Sequence, residues 1–549
     1  MDVESALVED SIIVAKGQGL FNQQCGGCHN FKQDGIGPNL GGITTELSTV
    51  WIKNFIRNPQ KVVQSGDKKA KELLKKYKVL MPSFALNNEE LNAIVAFLEV
   101  QKKSDPLPVS GNEKGIDNPI AKAIKTSDLV VGLKEFTQIP SSIDSGKTPA
   151  ARISKLDFQP KTGTTFILDL RGKLYRLQGN QPFVYMDMAK LAPAFIHTPG
   201  LATGFGSFAF HPDFNKNGLI YTTHTEPAGA AKADFYYPDS IKVALQWVVT
   251  EWKADHPASS TFSGTGRELF RVNMVSGIHG VQEISFHQQA KPGDDDYGLL
   301  YIGVGDGGSA ENGYLSLSHS KEKIWGTLLR INPLGRNSLN GRYGIPATNP
   351  FAKSNDSKVL KEMYAYGFRN PHRITWSKNG QMLVSNVGHA NIESINLIAK
   401  GYDYGWPVRE GTFLLHPSGN LNFVYPLPAD DSSYHIHYPV VEYDHDEGKA
   451  ISGGFEYTGS AIPELKGKFL FGDIPTGRLF YVEMKDIRQG MQAPITEWNI
   501  AIDGKQTTFS SLYKNQRVDL HFGKDVFGEL YLLTKYDGKV YKLMKVIKR

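Results

Sequence analysis

Cysteine is almost absent from this sequence, with two in 549 residues, Cys25 and Cys28. They stand three apart, too close in a regular helix for an unstrained structural disulfide, so a disulfide framework is excluded and the pair has another use. No apolar run approaches the ~20 residues needed to cross a bilayer, which excludes a transmembrane segment. Charge of one sign is in little excess. The 61 Lys and Arg against 56 Asp and Glu leave +5, too little per residue to imply a nucleic-acid partner. Met1-Asp2-Val3-Glu4-Ser5 lacks both a basic start and an apolar stretch, so no secretory leader is read there and a mature or trimmed form is expected. Helical periodicity is scarce beyond residue 130, whereas glycine is abundant at 55. Many short strands joined by tight turns follow from that combination, hence a large all-β domain. The length exceeds one ordinary core, so two or more folding units are expected.

Residues 25–29 read Cys-Gly-Gly-Cys-His, the pattern in which two thiols bond the edge of a haem and the adjacent imidazole ligates its iron. A zinc site would need a second cysteine pair, which the chain lacks. Upstream, Ala15 to Phe21 reads as a short helix with Phe21 on its apolar side. Downstream, Gly37-Pro38-Asn39-Leu40 forms a turn whose Pro38 carbonyl could orient the His29 ring. Met81 lies in Leu80-Met81-Pro82, where the proline keeps its predecessor extended and lets the thioether reach the second axial position. Asn87 as N-cap, Glu90 three residues on, and Leu91, Ile94, Val95 and Leu98 at helical spacing predict a closing helix that ends near Val100. In this order the thiols, His29, Pro38, Met81 and the closing helix resemble a class I cytochrome c, which implies a His/Met haem that passes single electrons.

From Lys102 to about Ser127 the chain turns polar and loses periodicity, with Pro106, Pro108, Gly111, Gly115 and Pro119 close together. The expected division is therefore a cytochrome c domain over 10–102, a linker over 103–127 and a β domain over 128–549. In the last, an apolar strand, a glycine-containing turn and a returning strand recur in six stretches: 166–177, 210–224, 299–308, 374–388, 469–483 and 518–543. Their irregular spacing suits long loops inserted at one face, and the predicted architecture is a small all-α domain followed by an all-β six-bladed propeller. A β-sandwich or two smaller β domains is the alternative that turn signals leave open.

Several segments of the β region, taken in order, resemble the soluble quinoprotein sugar dehydrogenases. They are Gly206-Ser207-Phe208-Ala209-Phe210-His211-Pro212, Tyr301-Ile302-Gly303-Val304-Gly305-Asp306-Gly307-Gly308, Tyr366-Gly367-Phe368-Arg369-Asn370-Pro371-His372, Gly405-Trp406-Pro407 and Phe471-Gly472-Asp473 with Gly477-Arg478. The resemblance implies a propeller that oxidises a sugar with pyrroloquinoline quinone (PQQ) and calcium. It places His279 as the base that takes the hydroxyl proton and Asp306 as the group that orients its imidazole. It assigns Arg369, Asn370 and Arg478 to the quinone, and the carbonyls of Gly388 and His389 to calcium. The sequence departs from the family at His279-Gly280-Val281-Gln282-Glu283, where His-x-x-Gly-Arg is usual, and at His389, where proline is usual.

Together the two resemblances imply an enzyme in which an aldose or related alcohol reduces the quinone, electrons pass to the tethered haem, and an external carrier removes them. Thiol attachment of haem in bacteria implies a periplasmic or cell-surface location. A rival reading comes from the hedgehog-interacting branch of these propellers, which Ser452-Gly453-Gly454-Phe455 and Phe471-Gly472-Asp473 resemble. There the fold binds a protein or glycan partner without PQQ. A buried His279–Asp306 pair and a cationic pocket on one face would separate the two readings.

Overall fold

A computed structural model of the chain describes residues 3–26, 29–31, 34, 37–77, 80–81, 84, 86–103, 114–143, 148–198, 202–417 and 419–547. The N-terminal unit is helical, with α1 (Val3–Gln24), α2 (Ile43–Glu46), α3 (Thr49–Arg57), α4 (Pro59–Gln64), α5 (Lys68–Tyr77) and α6 (Asn88–Glu99). α1 extends well beyond the short segment expected around residues 15–21. It meets α6 at Gly17, where an added Cβ would fall 1.8 Å from the carbonyl oxygen of Ala93. Only glycine lets two backbones come that close. α6 begins with the expected capping box: Asn87 Oδ1 accepts from the Glu90 N–H at 2.9 Å, and the Glu90 carboxylate accepts from the Asn87 N–H at 2.8 Å. Leu91, Ile94, Val95 and Leu98 on its inner face are buried with Phe21, Ile52 and Ile56. No helix among the described residues is long and apolar enough to cross a membrane.

The strands that follow fall into groups of four. They are β1 (Lys125–Gln138), then β2 (Ile153–Phe158), β3 (Thr165–Asp169), β4 (Lys173–Gln178) and β5 (Gln181–Asp187). Next come β6 (Phe205–Phe210), β7 (Leu219–Pro227), β8 (Leu245–Ala254) and β9 (Gly264–Met274), and β10 (Glu283–Phe286), β11 (Leu300–Val304), β12 (Thr327–Ile331) and β13 (Met363–Tyr366). β14 (Pro371–Trp376), β15 (Met382–Asn386) and β16 (Ile392–Leu397) are separated by the hairpin of β17 (Arg409–Glu410) and β18 (Phe413–Leu414) from their fourth strand, β19 (Val441–Asp444). β20 (Ile451–Glu456), β21 (Lys468–Asp473), β22 (Leu479–Glu483) and β23 (Thr496–Ile502) precede β24 (Lys505–Thr507), which pairs with β23. Last are β25 (Leu520–Lys524), β26 (Leu530–Thr534) and β27 (Lys539–Val546).

Neighbours within each group are antiparallel. β1, the first strand in the chain, completes the last group by pairing antiparallel with β27. Parallel pairing of β1 with β23 and of β2 with β25 joins three groups into one 13-stranded sheet, and the other three groups remain four-stranded. Each of the six stretches read from the sequence falls in a different group. The leading strands neighbour one another in turn: β6 with β10, β10 with β14, β14 with β20, β20 with β25 and β25 with β2. They are buried on both faces, as in β6 and β14, and therefore read as continuous apolar or mixed runs without strand alternation.

Where leading strands carry charge, the charge is paired. Lys155 Nζ on β2 lies 2.8 Å from Glu283 Oε1 on β10 and 3.2 Å from Ser207 Oγ on β6, and Arg373 Nη1 on β14 lies 2.8 Å from Glu283 Oε2. The described part of the expected linker, from residue 114, is bound to the large unit. Ile116 bridges Val424, the Ile120 N–H donates to Asp444, and the Ile124 N–H to Glu447. β1 itself begins inside that linker, at Lys125. Because the first two strands of a group run antiparallel, residues entering the first and leaving the second share one end of it, and the side chains below come from such positions.

Candidate active site

His279 precedes β10 and Asp306 follows β11. His279 Nδ1 lies 3.0 Å from Asp306 Oδ1, which also accepts the Gly308 N–H at 2.8 Å, while Asp306 Oδ2 accepts Trp406 Nε1–H at 3.0 Å. The carboxylate is wholly buried, whereas 11% of the imidazole surface is exposed. Burial alone would raise the Asp306 pKa, but the His279 hydrogen bond and charge, Arg369 and the Gly308 N–H together hold it below its ordinary value. An ionised Asp306 places the imidazole proton on Nδ1 and leaves the Nε2 lone pair free. Burial, with Arg369 adding to it, brings His279 down to about 4 against the pull of Asp306. At neutral pH the ring is thus an unprotonated base. Two backbone features set it in place. His279 sits in the left-handed region at φ 49°, and at Gly305 a Cβ would fall 2.2 Å from the His279 carbonyl oxygen.

Arg369, entering β14, is buried beside this pair. Its guanidinium donates to the Gly388 carbonyl and to Glu311 and lies 3.3 Å from His389 Nδ1, whereas Nε–H has no partner. The plane lies over Trp406 at 5.6 Å. Burial, then Arg369, lowers His389 to about 4. The Asn370 N–H donates to Asn386, and its side-chain amide lies 3.4 Å from Gln282 Oε1. The structure therefore brings His279, Asp306, Arg369, Asn370, Gly388 and His389 to one place. Arg478 stands apart from that set, with its guanidinium taken up by Glu447 and Glu497.

A second set adjoins the first. His372 is lowered to about 3 by burial, with Arg373, Lys535 and His279 adding to it, so it stands in the fields of both sets. Near it are His521, whose two buried ring nitrogens have no partner, and Lys535; beyond Lys535 is Arg152, whose guanidinium donates to the carbonyls of His197 and Thr203 at 2.9 Å. Burial pushes Lys535 down to about 8, with Asp519 opposing and Arg152 and Arg517 adding to it. Arg152 is brought to about 10, chiefly by burial.

The helical unit holds a cleft of about 840 Å³ lined by Cys25, His29 and Met81. His29 Nδ1 lies 2.8 Å from the Pro38 carbonyl, which leaves Nε2 for a metal. A Cβ on Gly37 would fall 2.4 Å from His29 Cε1, so the turn fits against the ring only as glycine. Cys28 and Pro82 lie outside the described residues.

The signature of the Glucose / Sorbosone dehydrogenase family covers residues 153–542, and that of cytochrome c covers residues 14–102. The chain belongs to the glucose/sorbosone dehydrogenase family. It carries a cytochrome c domain in front of the family domain. It is similar to the HIPL1 protein of Arabidopsis thaliana, 25% identical over 399 residues that span 62% of this chain and 53% of that protein. It is also similar to quinoprotein glucose dehydrogenase B of Acinetobacter calcoaceticus, 27% identical over 232 residues, 39% of this chain and 42% of that one. The chain spans about half the length of the curated relatives it matches. The apo form of the soluble aldose sugar dehydrogenase of Escherichia coli shares the fold, with a TM-score of 0.51 at 19% identity over 75% of this chain and 99% of that one.

A cytochrome domain implies a haem, and the family implies a quinone; the residues present can be compared with both. A haem fits the cleft, where a buried thiol, an imidazole with one nitrogen committed to a carbonyl and a thioether line one space. A quinone with three carboxylates fits the second place, where the unpartnered Arg369 Nε–H, the unpartnered His521 nitrogens and the buried Lys535 amine await an anion. Among the described residues no three His, Cys, Asp or Glu side chains gather as a metal site, so calcium there would depend on main-chain oxygens. Lys535, Arg152, His521 and Glu311 escaped the sequence reading because each is a single residue with no local pattern, the first three at or near strand ends and Glu311 in the loop after β11. Trp406 lay within a recognised segment, but its bond to Asp306 joins two distant loops.

Proposed function

We propose that this chain is a quinohaemoprotein sugar dehydrogenase. It oxidises an aldose or related alcohol with PQQ and calcium in a six-bladed propeller and passes the electrons through its own haem c to an external carrier, outside the cytoplasm. The observation that carries the reading is the buried His279–Asp306–Trp406 chain beside the buried guanidinium of Arg369. The names of similar proteins, a quinoprotein glucose dehydrogenase and an aldose sugar dehydrogenase, support the substrate class.

PQQ, when bound, supplies the carbonyl that accepts a hydride, and calcium on the Gly388 and His389 carbonyls supplies its polarisation. His279 Nε2 takes the proton of the substrate hydroxyl. Asp306 holds Nδ1–H and stabilises the imidazolium that results, and Trp406 and Gly308 keep Asp306 fixed and ionised. Arg369 and Lys535 would hold the quinone's carboxylates. Cys25 and Cys28 would tether the haem, and His29 and Met81 would ligate its iron, which supplies the one-electron chemistry. A propeller that only binds a protein or glycan partner has no use for a buried imidazole–carboxylate pair beside buried cationic groups, which is why the dehydrogenase reading is preferred.

The test is to add PQQ and calcium to the haem-loaded chain, offer a panel of aldoses and follow haem reduction by absorbance. Reduction by at least one sugar is expected. The reading fails if none reduces the haem and calorimetry detects no quinone binding.

A further inference from the structure

The haem cleft has walls from both units. Cys25, His29 and Met81 line it from the helical side, and Arg517, Asp519 and Tyr536 line it from the large unit. The latter three come from the connection into β25 and the turn after β26. Arg517 Nε lies 2.6 Å from Asp519 Oδ1. Asp519 is buried at 7% exposure. Its carbonyl accepts the Lys535 N–H at 3.4 Å, and the Lys535 carbonyl accepts the N–H of Ala151, the neighbour of Arg152, so the Asp519 charge supports the charged form of both cations. One ion pair therefore borders the cleft on one side and the cationic pocket on the other. Charges in such a partition are little screened, because salt and water reach buried groups poorly.

We infer that the Arg517–Asp519 pair is a charged partition that couples the haem cleft electrostatically to the anion pocket around Lys535. The inference rests on the reading above for what the two places hold. An anion seated on Lys535 adds negative charge beside the cleft, which favours ferric over ferrous haem and lowers its midpoint potential. Linkage requires the reverse effect of equal size: the chain with ferric haem, one charge more positive, holds the anion more tightly than the ferrous form, on the order of fivefold or more. Tyr536 follows Lys535 directly, so the pocket and the cleft are adjacent along the chain as well as across the ion pair.

The experiment is a spectroelectrochemical titration of the full haem-loaded chain, with mediators supplying the single electron per haem, with and without PQQ. Wild type is expected to show a lower midpoint with the quinone bound. Without quinone, Asp519→Asn is expected to raise the midpoint and Arg517→Gln to lower it, with the haem absorption bands unchanged. Asp519 sits in the left-handed region at φ 53°, a conformation asparagine also accepts, so the first variant removes charge without forcing the backbone. Opposite signs from the two variants would not arise from general loosening of the wall. The inference is overturned if quinone that calorimetry shows bound leaves the midpoint unmoved, or if the variants shift it in the same direction or not at all. If quinone does not bind, the dehydrogenase reading fails, and the two variants still decide whether the partition acts on the haem.

Discussion

The two units prepare for their cofactors in opposite ways. The helical unit offers a roomy cleft with one committed imidazole, one buried thiol and one thioether, and surrounds them with apolar side chains such as Ile94, Leu98 and Phe84. The large unit offers a dense set of buried charges and neutral imidazoles: Asp306, Arg369, His389, His372, His521 and Lys535. A covalently tethered group needs only attachment and axial ligation, so local sequence can specify its site. A polyanion held without covalent bonds needs pre-placed cations, and these must be collected from many parts of the chain.

The sharpest way to break this comparison is to remove the tether. Cys25→Ala with Cys28→Ala should abolish haem that survives denaturing electrophoresis, read by haem staining. The family domain should still bind PQQ by calorimetry. Retention of denaturant-resistant haem would refute the assignment. Next in size, His279→Gln should lower sugar-driven haem reduction by about 10²–10⁴-fold, while reduction by dithionite proceeds as in wild type. The wild-type rate should fall as pH drops through about 4, where His279 becomes protonated, and the variant should lose that limb. The same depressed value means that the unfolded chain takes up the His279 proton first on acidification. Its contribution to stability is therefore present above about 6.5 and lost as pH falls from there to about 4.

A third measurement tests whether the charges in the large unit are structural as well as functional. Glu283→Ala would leave Lys155 and Arg373 buried without their shared carboxylate, and should cost about 3–5 kcal/mol, seen as an earlier denaturant midpoint for the β unit alone. A cost below about 1 kcal/mol would mean that water reaches the pair. The smallest effect is expected in the helical unit. Asn87→Ala removes one half of the α6 capping box and should cost about 1 kcal/mol, measured as a lower melting temperature of the haem absorption with the β transition unmoved.

How much was legible followed the same division. Cys25 to His29, Pro38, Met81 and the α6 cap are signals carried within a few residues, and the capping box and the His29–Pro38 contact appear where those residues imply. The extra length of α1 was not legible, since its first turns lack a strong apolar periodicity. In the large unit the six stretches each marked a separate strand group, because glycine turns such as Asn379-Gly380 and Asp537-Gly538 are local. β1 was hidden in a polar segment because it is paired by residues near the opposite end of the chain. His279 and Asp306 were found through family resemblance. Lys535 and Arg152 could not be, since their meaning lies only in the contacts that distant strand ends create. Arg478, placed with the quinone by resemblance, instead joins Glu447 and Glu497 across a neighbouring loop and β23.

The placement of β1 between β23 and β27 also sets an order of events during synthesis. The helical unit is complete once α6 has emerged, but the sheet group that β1 belongs to cannot form until the ribosome has released the final strand. Throughout that interval Arg517, Asp519 and Tyr536 have not yet arrived to wall in the cleft. A porphyrin can therefore approach Cys25 from that side for as long as the β unit is unfolded, and folding of the β unit afterwards adds the remaining wall.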